Sequence, residues 1–238
     1  MALLCAVVFA AVVIARLPAE WVIPVNRGPA SCTGVEGSVW NGSCAGLAWG
    51  ATPIGDVSWS VRPLRLLIGR LAAHVNLTRD SAHASADVEI GFGGRLTAHG
   101  LVGDLPLDAA LLPGFPQNLY GHAHLELALA QVEHGVITQL EGRIEARDLE
   151  DRGQGNTALG SYLVTFPGGP GEPSGKLRDL EGPLALEGTL RLTRQPGFEL
   201  QGFIAPRRGA PPALVNDIRL FGAPDAAGRR PFSIAGTF

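Results

Sequence analysis

Apolar side chains recur at every second position over several stretches of the chain. Polar residues fill the gaps, and glycine separates the stretches. Ala84, Ala86, Val88 and Ile90 interleave with His83, Ser85, Asp87 and Glu89, and Leu184, Leu186, Leu190 and Leu192 interleave with Ala185, Glu187, Thr189 and Arg191. A period of two sends successive side chains to opposite faces of a strand, so the pattern predicts sheet with one apolar and one polar face. Val57, Trp59 and Val61 alternate with Ser58, Ser60 and Arg62, and Leu71, Ala73, Val75 and Leu77 follow. Ala123, Leu125, Leu127 and Leu129 mark a later strand, and Leu140, Ile144 and Ala146 the next, with Glu133-His134-Gly135 as the turn between them. A strand is also expected over 37–49, and others over 182–193, 198–204 and 232–238. The segment 63–69 breaks the alternation and reads as one helical turn, and the Pro-bounded segment 105–115 has room for a short helix. Closely spaced strands joined by turns predict an antiparallel meander, mainly β, with few short helices. Its apolar face must be covered, by a second layer as in a sandwich, by curling into a groove, or by a partner or lipid. Glycines at 93, 94, 100, 142, 188 and 202 permit bending, so a curved sheet is expected.

The N-terminus departs from this pattern. Ala2, Leu3, Leu4, Val7, Val8, Phe9, Val12, Val13 and Ile14 belong to an unbroken apolar run ending at Ala15. A spanning helix takes about 20 apolar residues, and a run of about 14 matches a short anchor or a signal-peptide core. No small-x-small cleavage site follows, so the run reads as an uncleaved signal-anchor helix with the rest of the chain exported. A cleaved signal peptide and a buried apolar helix are the other readings. The expected organisation is an anchor over 1–20, a linker and first extended segment over 21–36, and an exported antiparallel β domain over 37–238. A length of 238 residues accommodates one such domain or two. Trp21 suits a membrane interface.

Cysteine usage agrees with export. Of three cysteines, Cys5 lies in the apolar run, leaving Cys32 and Cys44 as a pair. In an oxidising compartment such a pair reads as a disulfide, and closing its loop of about 13 residues would contribute roughly 3 kcal/mol. The alternative is two unrelated small buried residues. The net charge of −3 comes from interspersed acids and bases, which argues against the clustered basic face of a nucleic-acid binder.

The candidate chemistry is thin. Gly42-Ser43-Cys44-Ala45-Gly46 matches a nucleophile elbow with Cys in place of Ser, but the residues beyond it continue as strand where the elbow needs a helix. His122 and His124 share a strand face, with His99 or Glu126 as a third metal ligand, yet nothing sets their spacing. Gly91-Phe92-Gly93-Gly94 lacks the Lys and Ser/Thr of a phosphate loop, and Asp225-Ala226-Ala227-Gly228-Arg229 has too few carboxylates for calcium. No catalytic residue, cofactor or metal is expected.

Several signatures occur together and in order. The apolar segment runs into Leu17-Pro18-Ala19-Glu20-Trp21. Gly34-Val35-Glu36-Gly37-Ser38-Val39-Trp40-Asn41-Gly42 follows, then Gly55-Asp56-Val57-Ser58-Trp59-Ser60-Val61-Arg62-Pro63. Gly182 to Gly188 and Leu220 to Asp225 lie further on. The chain resembles the type II secretion system protein N family across nearly its full length. Gly37, Trp40, Gly42, Trp59, Arg62 and Pro63 stand in its more specific segments. The resemblance implies a non-enzymatic accessory component of the machine that exports folded proteins across the outer membrane of Gram-negative bacteria. It implies a single-pass inner-membrane anchor, a periplasmic body, and other type II secretion components as partners. A lipid-binding module of AsmA-like type, holding acyl chains in an apolar β groove, is the alternative.

Overall fold

The computed structural model of the chain describes residues 16–21, 30–50, 52–91, 93–107, 116–153, 155–169, 171–195 and 197–237. The apolar run over 2–15 and most of the segment 105–115 lie outside them. No helix among the described residues is long and apolar enough to cross a membrane. The chain divides into two compact units, Met1–Phe92 and Gly93–Phe238.

In the first unit, β1 (Ala30–Ser31), β2 (Gly34–Gly37), β3 (Asn41–Trp49), β4 (Thr52–Val61), β5 (Leu71–Arg79) and β6 (Ala82–Ile90) pair antiparallel. Their order is β1-β3-β4-β5-β6, with β2 also on β3. The strand expected over 37–49 is β3 from Asn41 onward, while Gly37 ends β2 and 38–40 turn the chain between them. Gly37 takes φ +85°, where a Cβ would sit 2.5 Å from the Asn41 carbonyl oxygen. Only glycine enters so tight a turn without strain. Ser38 N–H donates to the Asn41 carbonyl at 2.9 Å, and Asn41 N–H donates to Ser38 Oγ at 3.1 Å. The helical turn expected over 63–69 is a 3₁₀ helix, Pro63–Ile68, with Pro at its start and Gly69 in the left-handed conformation closing it.

The second unit contains β7 (Leu96–Leu107), β8 (Leu119–Glu133), β9 (Val136–Asp151), β10 (Thr157–Pro167), β11 (Ser174–Glu181), β12 (Leu184–Thr193), β13 (Gly197–Pro206) and β14 (Arg230–Thr237). Each pairs antiparallel with its sequence neighbour, so this part is the meander the alternation predicts. A short helix, α1 (Pro212–Ile218), joins β13 to β14.

The apolar register gathers into clusters. Leu127, Leu140 and Phe166 are buried, with Ile144, Val164, Leu190 and Leu192 packed against them. Leu184, Ile204 and Phe232 are buried under Ile218, with Leu214 also against them, so α1 caps that end of the apolar face. Phe166 reaches this packing because Gly175 faces it on β11. A Cβ at 175 would lie 2.8 Å from Phe166 Cε1 and 2.6 Å from Val164 Cγ1. The strict alternation through Leu129 fails at one point. The register shifts between Leu127 and Leu129, which pairs Leu129 with His99 and Glu141 and gives the apolar side to Ala130 and Leu140. A bulge adds one residue, and one residue reverses every later side chain.

Candidate functional surfaces

Gly37, Trp40, Gly42, Trp59, Arg62 and Pro63, the residues that carry the resemblance, converge on one corner of the first unit. Gly42 pairs with Gly37 across the β2–β3 hairpin and with Trp59 on β4. The Trp59 ring lies over Gly42, where a Cβ would approach Cζ2 to 2.7 Å, and its Nε1–H donates to the Val39 carbonyl at 3.1 Å. Trp40 accepts a bond from Val61 N–H at 2.6 Å. One residue on, Arg62 pairs with Asp87 of β6 at 3.0 Å, and Pro63 begins the 3₁₀ helix. His74 Nδ1 also meets Asp87 Oδ1, at 2.9 Å. The hydrogen bond from His74 and, after it, the Arg62 charge hold the Asp87 carboxyl below its ordinary pKa.

Cys32 and Cys44 are joined in a disulfide, with Cα atoms 5.8 Å apart. The bond ties the β1–β2 edge to β3 and packs with Ala19 and Val35 beside Leu47 and Trp59. Cys44 is thereby committed to structure and is no free nucleophile. The motif corner is therefore a braced joint made of glycine turns, an indole lid, an ion pair and a crosslink.

The polar register of the second unit carries the charges. His122 and His124 do share a face. His124 Nδ1 lies 2.8 Å from Asp104 Oδ1, and Nε2 lies 3.1 Å from Glu126 Oε1. Only the imidazolium donates on both sides, and Asp104 first, then Glu126, raise the His124 pKa. The same contact, before the Arg143 ion pair at 2.5 Å, lowers that of Glu126. Among the described residues no group of three or more His, Cys, Asp or Glu is arranged to hold a metal ion.

A groove of about 1030 Å³ opens over β10–β14, with Lys176, Arg178, Thr189, Arg191, Gln201 and Ser233 in its wall. These belong to the polar register: Lys176 pairs with Thr189, Thr189 with Gln201, and Gln201 with Ser233. A second groove, of about 640 Å³, opens over β7–β10 beside Glu126, Glu141 and Arg143. Both grooves carry charged side chains, and both also touch the apolar core, the larger at Phe232 and the smaller at Leu127 and Phe166. Phe203 contributes an aromatic wall to the larger groove, and the Arg229 guanidinium sits 4.9 Å over its ring.

Sequence reasoning singled out the motif residues, the two cysteines and His124. It missed Asp87, Asp104 and Lys176, because their partners lie 11 or more residues away and only strand register reveals them.

The family model described as type II secretion system (T2SS), protein N, matches residues 29–233, which span the β body of both units. A relative named type II secretion system protein N, from Vibrio cholerae serotype O1, is 28% identical over 236 residues, covering 94% of this chain and 92% of the relative. No solved structure matches the chain. A match of that extent, over a body whose motif residues meet in one braced corner, places the chain in a family: it belongs to the type II secretion system protein N family.

Proposed function

We propose that this chain is a non-catalytic accessory subunit of the type II secretion machinery, anchored in the inner membrane by residues 2–15 with its β body in the periplasm. The observation that carries this reading is the family match over residues 29–233. The Cys32–Cys44 disulfide supports an oxidising compartment for the body. The two units supply what an assembly subunit needs. Strand β14 ends the sheet order and offers a pairing edge. The larger groove presents Lys176, Arg178 and Arg191 beside Glu187, Glu199 and the Phe203 ring. Such a mixed surface of charged and aromatic side chains suits a protein partner.

The test is deletion of the gene in its own host, with secreted exoproteins quantified. Membranes carrying a tagged chain are crosslinked in parallel and the captured proteins identified. Reduced export, or capture of type II secretion components, supports the reading. Wild-type export together with no captured component refutes it.

A further inference from the structure

We infer that the 3₁₀ helix Pro63–Ile68 is a foot that rests on the membrane surface, its exposed leucines entering the interface of an anionic bilayer. The inference rests on the proposed anchor over residues 2–15. Leu64 is 79% exposed and Leu66 41% exposed, in a short element where burial would be expected of leucine. They are not turned outward by looseness. Arg62 pairs with Asp87 at 3.0 Å, and Arg65 and Arg70 reach Glu89 at 3.2 Å and 3.5 Å, so the arginines clamp the helix to β6 and hold the leucines away from it. Leu71 and Ile90, paired across β5 and β6 directly after the helix, are also exposed.

The position of this patch names its occupant. The described chain begins at residue 16, immediately after the apolar run, and Leu17 accepts a hydrogen bond from Val39 N–H at 3.0 Å. The next residue, Trp40, accepts one from Val61 N–H at 2.6 Å, and Val61 is two residues from Pro63. Consecutive residues of one turn thus hold the exit of the apolar run and the root of the foot side by side. Trp21, 77% exposed, stands at the same corner. A bilayer holding residues 2–15 therefore lies against Leu64 and Leu66. Leucines ringed by arginine, with a tryptophan beside them, have the composition of an interfacial segment, which sinks about 5–10 Å into the headgroup boundary. Three arginines against two carboxylates leave the corner cationic, which favours anionic lipid.

The full chain carrying Cys5→Ser and Leu64→Cys is labelled with an environment-sensitive fluorophore and reconstituted alone into phosphatidylethanolamine–phosphatidylglycerol vesicles. Lipids bearing a nitroxide high on the acyl chain serve as quenchers. The control label is at Ser81→Cys, in the β5–β6 turn, about 30 Å along β5 from the foot at strand rise. The expected result is loss of about half the fluorescence at position 64 and nearly none at position 81. Adding Leu66→Asp should lift the label at 64 back into water. An unquenched label at 64, in a chain that still resists carbonate extraction, overturns the foot and leaves the anchor standing. It would mean that the patch serves a protein partner. Equal quenching at both positions also overturns it. Release of the chain by carbonate defeats the anchor, and the foot with it.

Discussion

Phe166→Ala is expected to destabilise the second unit by about 4 kcal/mol. The ring is 2% exposed, so nearly all of an aromatic side chain's area, about 150–250 Å², is withdrawn from water. At about 25 cal/mol per Å² that is roughly 4–6 kcal/mol, an upper figure because the unfolded chain is itself partly compact. The position of the ring over Gly175 adds a second, more discriminating expectation. Gly175→Ala places a methyl 2.6–3.0 Å from Val164 and Phe166 atoms, an overpacking that costs about 1–3 kcal/mol. Once Phe166 is truncated its two contacts, at 2.8 and 3.0 Å, disappear and Val164 gains room to turn aside. The double variant should therefore be less unstable than the sum of the singles by about 1–2 kcal/mol. The measurement is equilibrium urea unfolding of the full chain in detergent, followed by circular dichroism, with comparison restricted to variants of unchanged m-value. A Phe166→Ala cost below about 1 kcal/mol, or strict additivity with Gly175→Ala, would refute the packing argument.

Other expectations are as direct. Cys32→Ser with Cys44→Ser should cost about 3 kcal/mol in the same assay, and thiol titration of the denatured, unreduced wild type should find Cys5 as the one reactive cysteine of three. Trp59→Phe keeps the lid over Gly42 but loses the bond to the Val39 carbonyl, for about 1 kcal/mol. The His124 pKa, raised above 6.5 in the fold, means that its stabilisation is complete below the unfolded value and is lost as pH rises through the folded one. The Glu126 pKa, lowered from 4.5, acts in reverse, its contribution present above the unfolded value and lost as pH falls through the folded one. The stability gap between wild type and His124→Gln should accordingly be widest between pH 4.5 and 6.5 and close on the alkaline side. Proton NMR of the ring should show it titrating above 6.5.

The strands were legible because a sheet with two unlike faces writes a period of two into its sequence. Strands β5, β6, β12 and β13 follow that alternation closely, and Pro63 announced the short helix. Three things were not legible. The turn over 38–40 hides at the start of the expected strand, where Gly37 ends β2 with a positive φ and β3 begins only at Asn41. The register shift after Leu127 passes for continued alternation, since Leu129 is apolar yet pairs with His99 and Glu141. Helix α1 is seven residues long, too short for a 3.6-residue period to show, although Pro212 at its start was a usable signal. The larger groove was missed for a different reason. Its wall joins Lys176, Gln201 and Ser233 from separate strands, and such a surface exists only once register is known.

The consecutive strand order of the second unit bears on how the chain acquires its shape. From β7 to β14 every rung of the ladder joins segments adjacent in sequence, so apart from the longer links before β8 and β14 each closure spans a short connection and its entropic cost is small. Low contact order of this kind favours rapid acquisition of structure. A polypeptide delivered end-first into a new compartment can therefore zip up one hairpin at a time. It need not wait for its last residues before its first ones find their partners.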